Sequence, residues 1–120
     1  MYKGEQNMLI FPLKKQWYEK IKSGEKTIEY REVKPYWTKR ILRELENNVA
    51  FEEDMAFVNQ FKSIGSANFL LIECILRLGY TKKYMTAVIE DIEKINGMNT
   101  DLNIDKPVYA IHLRDVKEIE

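Results

Sequence analysis

Apolar residues recur along the chain with two periods, near two and near three and a half, and each stretch predicts an element. Met8, Leu9, Ile10 and Phe11 form a short apolar run ended by Pro12, the pattern of a first strand. Leu13, Trp17 and Ile21 then recur at helical spacing among charged residues, which predicts a helix over 14–23. Gly24 follows as the left-handed residue that closes it. From Lys26 to Val33 the pattern alternates, with Ile28 and Tyr30 on one face and Thr27, Glu29 and Arg31 on the other. This predicts a half-buried strand with Ile28 and Tyr30 inward. Lys34 and Pro35 end it, because the residue before proline is held extended and proline donates no ladder bond. Trp37, Ile41 and Leu45, four apart, predict a second helix over 37–46.

In the second half, 47–54 reads as a polar, acidic connection, and 55–61 and 68–78 as two strands joined by a turn containing Gly65 and Ser66. Met85, Val88, Ile92 and Ile95 step by three, four and three residues, which predicts a helix over 84–96 capped by Gly97. A loop follows over 98–106. Pro107 opens a last strand whose Tyr109, Ile111 and Leu113 share a face, expected to meet Ile28 and Tyr30 in one core. The order β-α-β-α-β-β-α-β lacks regular βα alternation. It argues for an α+β fold, a small, mostly antiparallel sheet or barrel with about three helices around it.

The 120 residues are expected to form one domain over 1–120, with 45% hydrophobic and 32% charged residues, the profile of a soluble globular chain. Cys74 is the sole cysteine, so an intramolecular disulfide and a cysteine zinc site are excluded, and its apolar neighbours predict a buried thiol. His112 is the sole histidine and falls opposite Tyr109, Ile111 and Leu113; multi-histidine metal sites are excluded. No metal and no cofactor is expected. The stretch 1–7 lacks the apolar core of a signal peptide, and no apolar run approaches the ~20 residues that span a bilayer. The expectation is a cytoplasmic protein with no membrane partner.

Nineteen basic residues balance nineteen acidic ones, but unevenly. Residues 1–45 hold eleven basic and six acidic side chains, and 46–120 hold eight and thirteen. A basic first half provides a local field for an anionic ligand. Glycine-rich nucleotide loops, a nucleophile elbow and paired metal ligands are all missing. The densest polar constellation is 24–37, where a helix end, a glycine turn and a strand bring Lys26, Glu29 and Arg31 together. Arg31 offers a planar fork for phosphate or carboxylate, and Glu29 could orient it or accept from a base edge. Tyr36 and Trp37 offer a stacking face. The competing reading is a solvated surface ion-pair set, with Trp17 and Trp37 as core residues among their aliphatic neighbours.

The stretch from Phe11 to Arg40 resembles the N-terminal half of ASCH domains, members of the PUA-like superfamily. Gly24, Lys26, Glu29 and Arg31 match the family's GxKxxExR motif at every defined position. Residues 17–23 look like the helix that carries the motif. Pro35, Tyr36, Trp37 and Arg40 look like the short bacterial and phage branch, and 108–113 is similar to the closing strand. The middle, 46–106, matches poorly. The resemblance implies a PUA-like β-barrel of five or six strands flanked by helices, with the motif lining a cleft. It also implies RNA, a nucleotide or a modified nucleoside as the ligand. Some ASCH-like proteins hydrolyse N4-acetylcytidine with Lys, Thr and Glu, and ribonuclease activity occurs in the family. Their lysine corresponds to Lys26, the threonine's place holds Glu29, and the glutamate has no aligned counterpart.

The leading expectation is a binding module for RNA or a nucleotide. Lys26 and Arg31 would hold phosphate, Glu29 would fix Arg31 or a base amino group, and Lys15 and Lys34 would add positive field at the rim. An amidohydrolase or ribonuclease is the second reading, with Lys26 and Glu29 as the candidate catalytic residues, since a desolvated lysine can serve as base or nucleophile. The third is a protein-interaction module with a vestigial cleft, docking through the acidic second half and the helix expected over 84–96.

Overall fold

Leu9, Phe11 and Leu13 turn the same way from the first strand, β1 (Leu9–Leu13), and are buried. The structure, a computed structural model, describes residues 8–49, 52 and 55–120. The N-terminal stretch 1–7 and positions 50, 51, 53 and 54 of the expected acidic connection lie outside the described residues. Helix α1 (Lys15–Lys22) follows β1, then strand β2 (Ile28–Glu32), helix α2 (Pro35–Asn47) and helix α3 (Met55–Ile64). Strands β3 (Ile72–Leu78), β4 (Tyr84–Asn96) and β5 (Pro107–Ile119) complete the described elements. The fold is α+β, and the described residues form three helices on one five-stranded sheet of order β1-β3-β4-β5-β2. Only the β1–β3 pair is parallel, and the sheet curls into a half-barrel. Among the described residues no helix is long and apolar enough to cross a membrane.

Several boundaries differ from the sequence pattern for identifiable reasons. Pro12 does not end β1 but lies within it, opposite Arg77. An edge strand tolerates a residue without an N–H, because one of its sides has no ladder to feed. Pro35 is the first residue of α2, where its fixed φ suits the helix and its missing N–H has no partner to lose.

Two elements change type. The strand expected over 55–61 is helix α3, whose Val58 and Phe61 are buried one turn apart. Gly65, expected in a hairpin turn, ends this helix at φ +74, its N–H donating to the Phe61 carbonyl at 2.9 Å. The helix expected over 84–96 is strand β4, the long central partner of β3 and β5. Its inward residues Met85, Ala87 and Ile89 keep period two, and register shifts near Val88 and Ile89 then move the inward set to Ile92. A bulge adds one residue to the count and so imitates a three-four spacing. Gly97 therefore caps no helix, and the docking helix of the protein-interaction reading does not exist.

The register of β2 is also inverted relative to expectation. Tyr109, Ile111 and Leu113 are buried as the alternation predicts. However, Arg31 pairs with Tyr109 and Glu29 with Ile111, while Ile28 and Tyr30 stand opposite His112 and Ala110. Directly paired residues share a face. Glu29 and Arg31 thus project from the core face of the sheet, and Ile28 and Tyr30 are only half-buried on the other. The charges face inward because the interior there is an open seam rather than packed core. β1 and β2 are the two edges of the curled sheet, and among the described residues no strand closes the gap between them.

Candidate functional site

Glu29 is the most buried residue of β2, at 7% exposure, and its two carboxylate oxygens have different partners. Oε2 accepts from Arg31 Nη2 at 2.7 Å and Nε at 3.1 Å. Oε1 lies 3.5 Å from the ammonium of Lys26. Arg31 Nη2 also donates to the Pro12 carbonyl at 2.8 Å, bridging the seam from β2 to β1. Its guanidinium lies 5.0 Å from the ring of Trp37 and 5.4 Å from that of Phe11, and these two rings stack at 5.2 Å. Flat cationic groups favour such aromatic faces. Arg31 is thereby fixed in one pose and holds Glu29 in another.

Lys26 arrives from the turn after α1. Gly24 takes φ +85 with no atom near the missing Cβ, so the chain reverses and the Lys26 N–H donates to the Lys20 carbonyl at 3.0 Å. The Lys26 ammonium sits 5.3 Å from the Trp17 ring and 4.9 Å from the Tyr30 ring. Its side chain is 9% exposed, ion-paired with Glu29 and hydrogen-bonded to the carboxylate of Asp101. Asp101 comes from the loop between β4 and β5. Burial, then the Asp101 and Glu93 carboxylates, raise the Tyr30 phenol above its ordinary pKa, so it remains a neutral hydroxyl at neutral pH.

These groups surround a cavity of about 390 Å³ in the seam. Pro12, Leu13 and Lys14 form one side, Glu29 to Glu32 the other, and Trp17 with Asp101, Leu102 and Ile104 the remaining walls. A second cavity of about 260 Å³ lies beyond Lys26. The larger one falls within the usual range of small-molecule sites, which are ~300–1,000 Å³. It carries charges of both signs, so it offers fixed donors and acceptors rather than a positive basin.

Of the residues expected in the site, Lys26, Glu29 and Arg31 converge. The remaining four do not line either cavity. Lys15 is exposed on α1, and its neighbour Lys14 borders the cavity instead. Lys34 is exposed and paired with Glu32 at 3.5 Å. Trp37 lies behind Arg31, and Tyr36, 60% exposed, meets Trp37 edge-on. The aromatic wall is Trp17, whose spacing with Leu13 and Ile21 resembles that of a core residue. Asp101 carries no motif and no periodicity, so the sequence holds no signal for it. Compared with known proteins, the chain matches no family model, no curated protein and no solved structure.

Proposed function

We propose that the chain is an ASCH-type, PUA-like domain whose seam cleft binds one unpaired nucleotide, either free or within single-stranded RNA. The observation that carries this reading is the buried, pre-positioned carboxylate of Glu29 at the cleft floor, with Oε1 turned toward Lys26 and Trp17 forming a wall. A fixed acceptor beside an ammonium matches the donor and acceptor edge of a base, and an indole face stacks on the base plane. The four defined residues of the GxKxxExR pattern act on this one cluster, Gly24 through the turn and the others through side chains. Arg31 supports the site by holding Glu29 rather than by presenting an empty fork.

The test is calorimetric titration with short single-stranded RNAs and with the four ribonucleotides. Glu29→Gln keeps the shape but weakens the acceptor and the Arg31 pair, so binding should fall roughly tenfold. Absence of binding by the wild-type protein to all of these ligands rejects the reading.

The 3.5 Å approach of Lys26 to Glu29 supports a second reading, a hydrolase of a modified nucleoside or of RNA. Lys26 would then exchange a proton with Glu29 during attack on the substrate. Incubation with N4-acetylcytidine and with short RNA tests it. Lys26→Arg should abolish product formation, because a guanidinium does not deprotonate in the working range.

A further inference from the structure

The two cavities share part of their walls, and one member of an ion pair belongs to both. Trp17, Tyr30 and Asp101 border both, and Lys26 stands at the boundary with the Asp101 carboxylate against its ammonium. On the smaller side Lys20 joins Lys26, and both ammonium groups lie 5.3 Å from the Trp17 ring. Two cations therefore approach one aromatic ring, and all three side chains line the smaller cavity.

The partners of the pair are held very differently. Lys26 is nearly buried, whereas the Asp101 side chain is 35% exposed and, among the described residues, pairs with Lys26 alone. Its loop is tied at the base, where the Gly97 N–H donates to Lys106 and the Gly97 carbonyl accepts from Ile104. Beyond that base, Met98 and Leu102 are exposed. A carboxylate on such a loop is an anion that can be exchanged for another without disturbing the strands.

We propose that Asp101 occupies the place of the ligand's phosphate. This rests on the reading of the larger cavity as a nucleotide site and adds the position of its charged group. The base lies in the larger cavity against Glu29 and Trp17. The phosphate replaces the Asp101 carboxylate on Lys26 and gains Lys20 as a second cation, and the two cavities become one trough. Asp101 then balances Lys26 in the empty site, as Glu25 balances Lys20 at 3.9 Å, and sets a penalty that only an anionic ligand meets.

Titration of the four ribonucleosides and their 5′- and 3′-monophosphates, together with a short single-stranded RNA, into wild type, Asp101→Asn and Lys20→Gln tests this. Asp101→Asn should raise affinity for the monophosphates roughly tenfold and leave the nucleosides within about twofold. Lys20→Gln, at an exposed position, should lower monophosphate affinity several-fold and leave the nucleosides unchanged; it keeps the test decisive even if Asp101→Asn folds poorly. RNA binding stronger than that of any monophosphate assigns the phosphate to a chain diester, and equal binding assigns it to a free nucleotide. Equal changes for nucleosides and monophosphates in both variants overturn the phosphate assignment while leaving the nucleotide reading intact. No binding of any ligand to wild type overturns both.

Discussion

Arg31 on one edge of the sheet donates to the carbonyl of Pro12 on the other edge at 2.8 Å, so a side chain spans a gap that no strand among the described residues fills. The same guanidinium clamps Glu29, which makes closure of the half-barrel and pre-positioning of the cleft one event. Removing it leaves Glu29 buried with Lys26 as its remaining ion-pair partner. Arg31→Ala should therefore cost about 2–4 kcal/mol, on the scale of breaking a largely buried pair. Arg31→Lys should recover little, because a point charge cannot bond Glu29 and Pro12 together while lying flat against Trp37. Urea denaturation measures both, and a loss below ~0.5 kcal/mol for the alanine variant rejects the clasp.

Glu44 does similar work at the start of β1. It is buried in α2, where Oε2 accepts from the Leu9 N–H at 3.1 Å and Oε1 from Asn48 Nδ2 at 3.0 Å. Glu44→Ala deprives an edge-strand N–H of its buried acceptor and should cost about 2–3 kcal/mol by urea denaturation. Glu44→Gln retains an acceptor oxygen and should cost less than half as much. Equal losses in the two variants mean that the carboxylate charge, not an acceptor oxygen for Leu9, is what matters.

The elements that were legible in the sequence are those built from local rules. The helix α1, the glycine turn at Gly24 and the shared burial of Tyr109, Ile111 and Leu113 in β5 each rest on a few neighbouring residues, and each agrees with the structure. Helix α3 and strand β4 were not legible, because the run around Phe57 is too short to show its period and the bulges of β4 mimic a helical one. The inward face of β2 failed for a different reason. Polarity identifies the outside only where the inside is packed, and Glu29 and Arg31 face an open seam where they neutralise each other. Lys26, Glu29 and Arg31 were visible as a cluster, but Asp101 joins them through a loop about seventy residues away and had no local signature.

Gly97 anchors that loop. A Cβ at this position would lie 2.6 Å from Val108 Cγ1 and 3.0 Å from the Ile104 carbonyl oxygen, one of them backbone. Gly97→Ala must therefore shift the loop base or β5, at a cost of about 1–3 kcal/mol. Amide hydrogen exchange should show the loss concentrated in 97–106, with faster exchange at Ile104 and Gly97's partners than in β3. Unchanged exchange in this loop would rule out a close-packed anchor.

Glu118 links α1 to the end of β5 and gives the fold a defined pH profile. Tyr18 donates its hydroxyl to Oε2 at 2.8 Å, and Lys22 lies 3.1 Å from Oε1. Bonds from Tyr18 and Lys22 hold the Glu118 carboxyl below its ordinary pKa. Burial, then the bond and charge of Glu118, push the Tyr18 phenol well above its own, and the same carboxylate raises Lys22. For Glu118 the unfolded chain binds the proton more tightly, so its contribution is present above the ordinary carboxylate range and lost as pH falls through the depressed value. For Tyr18 and Lys22 the folded chain keeps the proton longer, so their contributions are fully present below their ordinary values and lost as pH rises from there through the raised folded values. Glu118→Gln should flatten both limbs of a stability curve recorded from about pH 3 to about pH 11, and Tyr18→Phe mainly the alkaline one. An alkaline limb unchanged in Tyr18→Phe would show that the phenol does not titrate with unfolding.

Trp17 and Tyr36 give opposite expectations for ligand binding, and the difference separates the observed cleft from the aromatic face that the sequence offered. Trp17 lines both cavities, and two ammonium groups already rest near its ring. A base entering the larger cavity meets that indole first, so Trp17→Ala should weaken nucleotide or RNA binding by about 1–3 kcal/mol, the value of one stacked base. Tyr36 is exposed beside Trp37 and borders neither cavity, so Tyr36→Ala should leave affinity within about twofold. Tryptophan emission supplies a second readout. Trp37 is stacked on Phe11 and lies behind Arg31 rather than lining the cavity, so saturating ligand should change the emission of wild type and change that of Trp17→Phe much less. A loss of binding in Tyr36→Ala with none in Trp17→Ala would move the site to the outer face of α2 and away from the seam.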